Sequence, residues 1–425
     1  MKTIKILKII FAFLIVFFIA VLIVWRKSFF NNNSNQTGEK MNYNKEIQLK
    51  DNVLGVKYPP VVQNNSDAKK LKIKVWCDSG EDEITKKICK AYDDSNPDVD
   101  ISFEIGVAPY DSVKTFLDLG EKADVFMFRG KDLPEFVEKG YLLGFDDEIN
   151  NDVKDKHISQ AYEACCVNDK LYAIPFTTHV WYMFYNKSMY TEEEVKSLDT
   201  MFEKDFGDPK IHNVAVDFND EEYLAGFFNA TGCQLCVTDG TDIAKGDLTD
   251  EDKTAVVDYL KDKIKTNKLY ALSDNPWEGI KNGTIGAYFT GSWNNLRMKE
   301  VLGENYAVAC APQIDINGKK QYIKPYGDYC MIGVSSKTEN QKEAMEIANF
   351  LGSEIAQAVR AQVKETQPTV KVLAESVPEG VDYKRDYQAL YTSLEQMKHI
   401  VKQPCEPQFS DCQKTLEYLG ECIFN

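Results

Sequence analysis

Cys233-Gln-Leu-Cys236 is the one spacing in this chain that by itself suggests covalent chemistry, because two thiols three residues apart serve as a redox pair or as half of a tetrahedral zinc site. Zinc needs two further ligands, and neither a second C-x-x-C nor a paired His follows at a suitable spacing. With 11 Cys the count is odd, so at least one thiol stays unpaired if the others bridge. Disulfides suit an oxidising compartment and buried thiols an anaerobe. Adjacent Cys165 and Cys166 are not expected to bond each other, since the ring would strain the backbone. Four His, with no H-E-x-x-H, no G-x-S-x-G, no phosphate loop and no G-x-G-x-x-G, leave little machinery for catalysis and point to no cofactor and no bound metal. The 66 Asp and Glu include enough carboxylates for a glycosidase. No pair stands in an apolar setting that would separate an acid from a base, and a solvated surface accounts for their number.

The elements that would carry such groups alternate. Leu71 to Trp76 reads as a strand, Ile84 to Tyr92 as a helix, Val99 to Ile105 as a strand, Val113 to Leu119 as a short helix, and Ala123 to Phe128 as a buried strand before a helix over 133–139. This order predicts a parallel sheet covered on both faces. Lys170 to Phe176 and Val180 to Tyr185 form a long extended stretch. Helices follow over 223–231 and 255–265, strands over 284–289, 306–311 and 329–334, and helices over 341–351, 383–401 and 413–422.

The N-terminus is different material. Ile9 to Trp25 is an unbroken run of 17 apolar residues flanked by Lys2, Lys5, Lys8 and by Arg26 and Lys27. At about 1.5 Å per residue it reaches the lower limit for a membrane-spanning helix. No small-x-small cleavage site follows, and no Cys lies near its end, so residues 1–27 are expected to be an uncleaved signal-anchor with residues 28–425 outside the cytoplasm. Residues 28–70 are polar and low in complexity and read as a disordered tether. Removing the 5 positive charges of the first 27 residues leaves 45 basic against 66 acidic groups, a net −21, which excludes nucleic acid as a partner. The 355 residues from Leu71 exceed what one core serves, so two lobes are expected.

In order and spacing, Lys72-Ile-Lys-Val-Trp-Cys-Asp78, Ala123 to Phe128, Lys170 to Phe176 with Phe184-Tyr-Asn-Lys187, Asn282 to Ala287 with Gly291-Ser-Trp293, and Gly327 to Gly333 resemble the extracellular solute-binding proteins of bacterial ABC importers, in the maltose-binding, carbohydrate class. The resemblance covers about five-sixths of the chain. It implies an α/β, two-lobed periplasmic-binding-protein-like clamp (type II), with residues 71–178 and 313–395 in the first lobe and 179–312 and 396–425 in the second. Chain crossings are expected near Phe176 to His179, Pro312 to Tyr322 and Tyr391 to Val401. A sugar held by both lobes would drive closure, which ABC permease subunits would read.

Sugars present flat apolar faces and rings of hydroxyls, so their sites pair aromatic platforms with planar polar groups. By resemblance, Trp293 in the Gly-Ser-Trp turn is the stacking platform. Asp78 and Ser79 follow the first strand, and Phe128 and Lys131 follow the third. His179 lies at the first crossing and shares a face with Trp181. Glu222 and Tyr223 open a helix of the second lobe, Tyr326 and Asp328 lie on the return into the first, and Phe409 lies in a final ligand loop. Where maltodextrin binders place a stacking Trp shortly after that loop, this chain has Gln413. Two other readings stand beside this one: a ligand sensor for a partner receptor, and an extracellular glycan-active or thiol-redox enzyme.

Overall fold

The computed structural model describes residues 52–232, 235, 250–271 and 275–424. The strands of the two main sheets are, in chain order, β1 (Lys69–Cys77), β2 (Val99–Val107), β3 (Val125–Arg129), β4 (Ala173–His179), β5 (Trp181–Asn186), β6 (Val214–Val216), β7 (Leu269–Ala271), β8 (Ala287–Gly291), β9 (Tyr306–Ala309), β10 (Tyr326–Val334) and β11 (Val401–Lys402). Five helices matter here: α1 (Asp82–Ser95), α2 (Glu221–Ala230), α3 (Glu354–Lys364), α4 (Gln388–Gln396) and α5 (Gln408–Phe424).

The first sheet runs β2-β1-β3-β10, with β4 and β11 also pairing β10. Leu71, Ile73 and Val75 point inward while Lys72 and Lys74 point out, the alternation that a half-covered strand requires. Ile84, Ile88 and Tyr92 of α1 follow at helical spacing. β1 is parallel to β2 and β3, but β10 is antiparallel to β3 and β4. The sheet is therefore mixed rather than parallel, because β10 comes back from the far end of the chain. The second sheet runs β7-β6-β8-β5-β9, with Phe184 and Tyr182 packed on one face and Met183, Phe227 and Phe289 on the other.

β4 belongs to the first sheet and β5 to the second, and Val180 alone separates them. The second crossing falls later than the sequence suggests. The hairpin Gln313–Ile316 and Lys319–Tyr322 buries Ile314 and Ile316 in the second sheet's core, so the chain returns only at Ile323 to Tyr326. Likewise α4 packs Ala389 against Tyr182 and Phe184, with the second sheet, although residues 313–395 were expected with the first. The expected helix over 383–401 is broken into Tyr383–Asp386 and α4, and β11 then pairs with β10.

The expected tether is folded from residue 52. Asn52–Val53 and Val56–Lys57 form a hairpin turned by Leu54 and Gly55, both at positive φ, and Val53 is buried against α3. Val62 and Asn65 then donate to the carbonyls of Asp94 and Pro97, so polar composition is answered by backbone pairing rather than disorder. The apolar run Ile9 to Trp25 and the Cys233/Cys236 pair lie outside the described residues. Among those described, no helix is long and apolar enough to cross a membrane. Cys412 is disulfide-bonded, and the eight other cysteines among the described residues are free.

One pH-dependent contact checks this packing. His157 bridges to Val370, lies fully inside, and its Nδ1 is 3.0 Å from Thr369 Oγ1. Burial pushes its pKa down to about 4. The unfolded chain, near 6.5, therefore takes up a proton that the folded chain refuses, and stability falls as pH drops from about 6.5 toward 4. Between pH 7 and 4.5, denaturant unfolding of the natural chain is expected to lose about 2–3 kcal/mol more than that of His157→Gln. Equal pH dependence of the two would contradict a buried neutral imidazole.

Candidate functional site

Four chain segments end at the same place between the sheets: the C-terminal ends of β3, β4 and β8, and the N-terminal start of α2. Strand ends in α/β sheets leave side chains without a covering layer, which is where a ligand has room. Alternation along β3 decides which residues arrive. Phe126 and Phe128 point into the first sheet's core, where Phe128 lies 5.1 Å from Phe136 and is fully buried. Phe128 is thus a packing residue and not a cleft residue, and it is Arg129, its neighbour on the opposite face, that reaches the cleft.

Arg129 Nη1 donates to Glu222 Oε1 at 2.6 Å, and Lys131 Nζ lies 3.7 Å from the same oxygen. Arg129 comes from the first sheet and Glu222 from the helix packed on the second, so this ion pair joins the two lobes. Arg129 is 5% exposed and Glu222 9%, which places the pair in a low-dielectric setting. Burial alone would raise the Glu222 carboxyl, but Arg129 and Lys131 hold it below the usual range. Its neighbour Asp220 caps α2 by accepting from the Glu222 amide at 3.0 Å, and burial followed by the Glu222 charge pushes it up to about 7. Asp132, buried beside Lys131, is also pushed up to about 7.

His179 ends β4, with Nε2 3.9 Å from Glu222 Oε2. Its ring lies flat on Trp293, centroids 4.6 Å apart and planes 7° apart. Burial first and Arg129 second lower its pKa to about 3, so the imidazole is neutral. Trp293 folds back over Gly291, where a Cβ would come within 2.1 Å of the indole, and this close approach requires glycine. Trp181 lies behind Glu222: its Nε1 donates to the Glu222 carbonyl at 3.3 Å, and its ring is 5.4 Å from Tyr223 and 5.3 Å from Phe289. On the other wall, Asp328 accepts from the Lys131 amide at 2.9 Å, and Lys131 Nζ sits 4.7 Å above the Phe409 ring, which meets Tyr326 edge-on.

Lys131, His179, Trp181, Glu222, Tyr223, Trp293, Tyr326, Asp328 and Phe409 thus form one continuous cluster. Asp78 and Ser79 follow directly on the end of β1. Asp78 Oδ1 accepts from the Tyr110 amide at 3.3 Å, and burial raises it to about 6. Glu81, not Asp78, occupies the cap position of α1. The arrangement offers one partly covered indole face, charged and neutral donors, and carboxyls in both protonation states near neutral pH. Among the described residues no group of three or more His, Cys, Asp or Glu is placed to hold a metal.

The family model of the bacterial extracellular solute-binding protein matches residues 87–389. The chain belongs to that family. Within it, the chain is 24% identical to the maltotriose-binding protein of Pyrococcus abyssi over 289 residues, 66% of this chain and 62% of that protein, so the match spans under two thirds of that relative. It is 24% identical to the galactooligosaccharide-binding protein of Bacillus subtilis over 332 residues, 73% of this chain and 75% of the relative. Among solved structures, a maltodextrin-binding protein from L. casei BL23 without ligand matches at 23% identity with a TM-score of 0.69, covering 83% of this chain and 92% of that one. A structure solved with acarbose matches at 28% identity and 0.70, covering 83% and 98%. The family's two-lobed α/β fold is the one described above.

Removing one partner of the interlobe pair leaves the other buried without a counter-charge. Glu222→Gln is expected to destabilise the protein by about 3 kcal/mol in denaturant unfolding, and the apolar double replacement Arg129→Met with Glu222→Leu to recover most of that loss. Undiminished stability of Glu222→Gln would mean that the two side chains do not pair in solution.

Proposed function

We propose that this chain is an extracellular receptor that captures an oligosaccharide between its two lobes and presents it, by lobe closure, to the permease subunits of an ABC importer. The observation that carries the reading is the Trp293 indole at the end of β8, set flat beside His179 and next to the Arg129–Glu222 pair. An apolar plane bordered by planar polar groups matches the two kinds of surface that a sugar ring presents. Names of relatives support the ligand class: two bind maltotriose and galactooligosaccharides. A ligand touching both lobes favours the closed form by its differential affinity for it.

Asp78, Ser79, Lys131, His179, Trp181, Glu222, Tyr223, Trp293, Tyr326, Asp328 and Phe409 are the proposed contacts or their immediate support. Thermal shift of the full chain in a non-saccharide detergent, against maltotriose, galactooligosaccharides, amino acids and polyamines, tests the ligand class. Stabilisation by a saccharide is expected, while a shift with amino acids or polyamines alone would overturn it. Trp293→Ala should weaken saccharide binding by tenfold or more, corresponding to about 1.4 kcal/mol, without lowering the ligand-free melting temperature by a comparable amount.

We further propose that Ile9 to Trp25 stays attached as a membrane anchor, on the strength of its length, its basic flanks and the lack of a small-x-small site after it. Terminal sequencing of the membrane-bound protein is expected to find the anchor intact. A mature chain beginning after residue 20 would refute retention.

A further inference from the structure

Two buried side chains, Arg129 at the end of β3 and Gln403 just after β11, carry polar atoms without hydrogen-bond partners. Arg129 spends only Nη1 on Glu222; its Nε and Nη2 have no hydrogen-bond partner. Those two N–H groups form the side-on fork of the guanidinium, the edge that engages two oxygens at once. Gln403 is 3% exposed, and both its Oε1 and its Nε2 are unpartnered. Its backbone N–H donates to Gly327, continuing the β10–β11 register, so Gln403 stands opposite Asp328, whose carboxylate holds the Lys131 amide. Three residues on, Glu406 donates its amide to the Lys131 carbonyl, so the loop after Gln403 forms part of the same wall.

Buried amide and guanidinium groups left unsatisfied cost stability, and native chains retain them where something else completes the set. We infer that the Gln403 amide and the free fork of Arg129 are ligand contacts, and that together they read neighbouring hydroxyls on an uncharged saccharide. The stereochemistry supports this. An amide offers a donor beside an acceptor, and two vicinal hydroxyls return an acceptor beside a donor. The fork offers two donors to two hydroxyl oxygens. A carboxylate or phosphate would also fit the fork, but Glu222, Asp328 and Asp111 all act on Arg129, and a further anion there would meet their repulsion. This inference rests on the proposed function and narrows it to a neutral, vicinally hydroxylated ring.

The test is calorimetric titration of the full chain with maltotriose, or with a galactooligosaccharide if maltotriose gives no heat, alongside Gln403→Leu and Arg129→Lys. Gln403→Leu keeps the volume and removes both unpartnered atoms. It is expected to weaken saccharide binding at least tenfold while leaving the ligand-free melting temperature unchanged or higher, which a purely structural glutamine would not do. Arg129→Lys keeps the charge facing Glu222 but loses the fork, and should show a similar loss. If Gln403→Leu does not fold, Gln403→Glu, which retains an acceptor and loses the N–H donors, must show the same selective loss. Unchanged affinity in the folded variants overturns the inference while the function stands. Tighter binding of trigalacturonate than of maltotriose overturns the uncharged-ligand part. No saccharide binding by the natural chain sinks the proposed function itself.

Discussion

A single ion pair buried between two sheets, Arg129 with Glu222, sets the terms for everything around it. Two charges withdrawn from water repay the cost only with close geometry and added hydrogen bonds. The surroundings supply these on the Glu222 side: Lys131 shares its carboxylate, Asp220 fixes its backbone, and Trp181 bonds its carbonyl. On the Arg129 side the account is incomplete, with two donors unspent. The asymmetry fits a pair that holds the lobes together while reserving part of its hydrogen-bonding capacity.

The same pair organises protonation. His179 beside it stays neutral, so its flat contact with Trp293 is a stack of two uncharged rings. Burial pushes the Asp132 and Asp220 carboxyls upward from the usual range, each to about 7. Acidic and basic side chains are thus interleaved around the pair. The chain as a whole is acidic, with a net charge of −16.

Much of this was legible in the sequence, and the failures have physical causes. The β1, α1 and β3 segments read correctly because their apolar spacing is clean, and Gly291-Ser-Trp293 marked a turn at a strand end. Phe128 was misassigned because a run of five buried residues hides which face is which, whereas the alternation Phe126, Phe128 against Arg129 contained the answer. Helix α3 escaped notice because its inward face carries Gln357, Arg360 and Lys364. These pair with Thr369, the Leu351 carbonyl and Glu81, so burial there is paid in hydrogen bonds rather than apolar area. The folded stretch from residue 52 is held by backbone pairing, which composition does not report. Gln403 had no local signal at all, since its place beside Asp328 depends on a pairing between strands 75 residues apart.

The passage from β4 to β5 through Val180 has a consequence for how this molecule can change over evolutionary time. With no slack here, rotation of one sheet against the other must bend the backbone at this crossing as well as at Ile323 to Tyr326, and its immediate neighbour is His179, the residue stacked on Trp293. The residue proposed to meet the ligand therefore sits at the joint itself. A substitution there acts on the proposed site and on the pivot together, which the proposed contacts Gln403 and Phe409, carried by other segments, would not do.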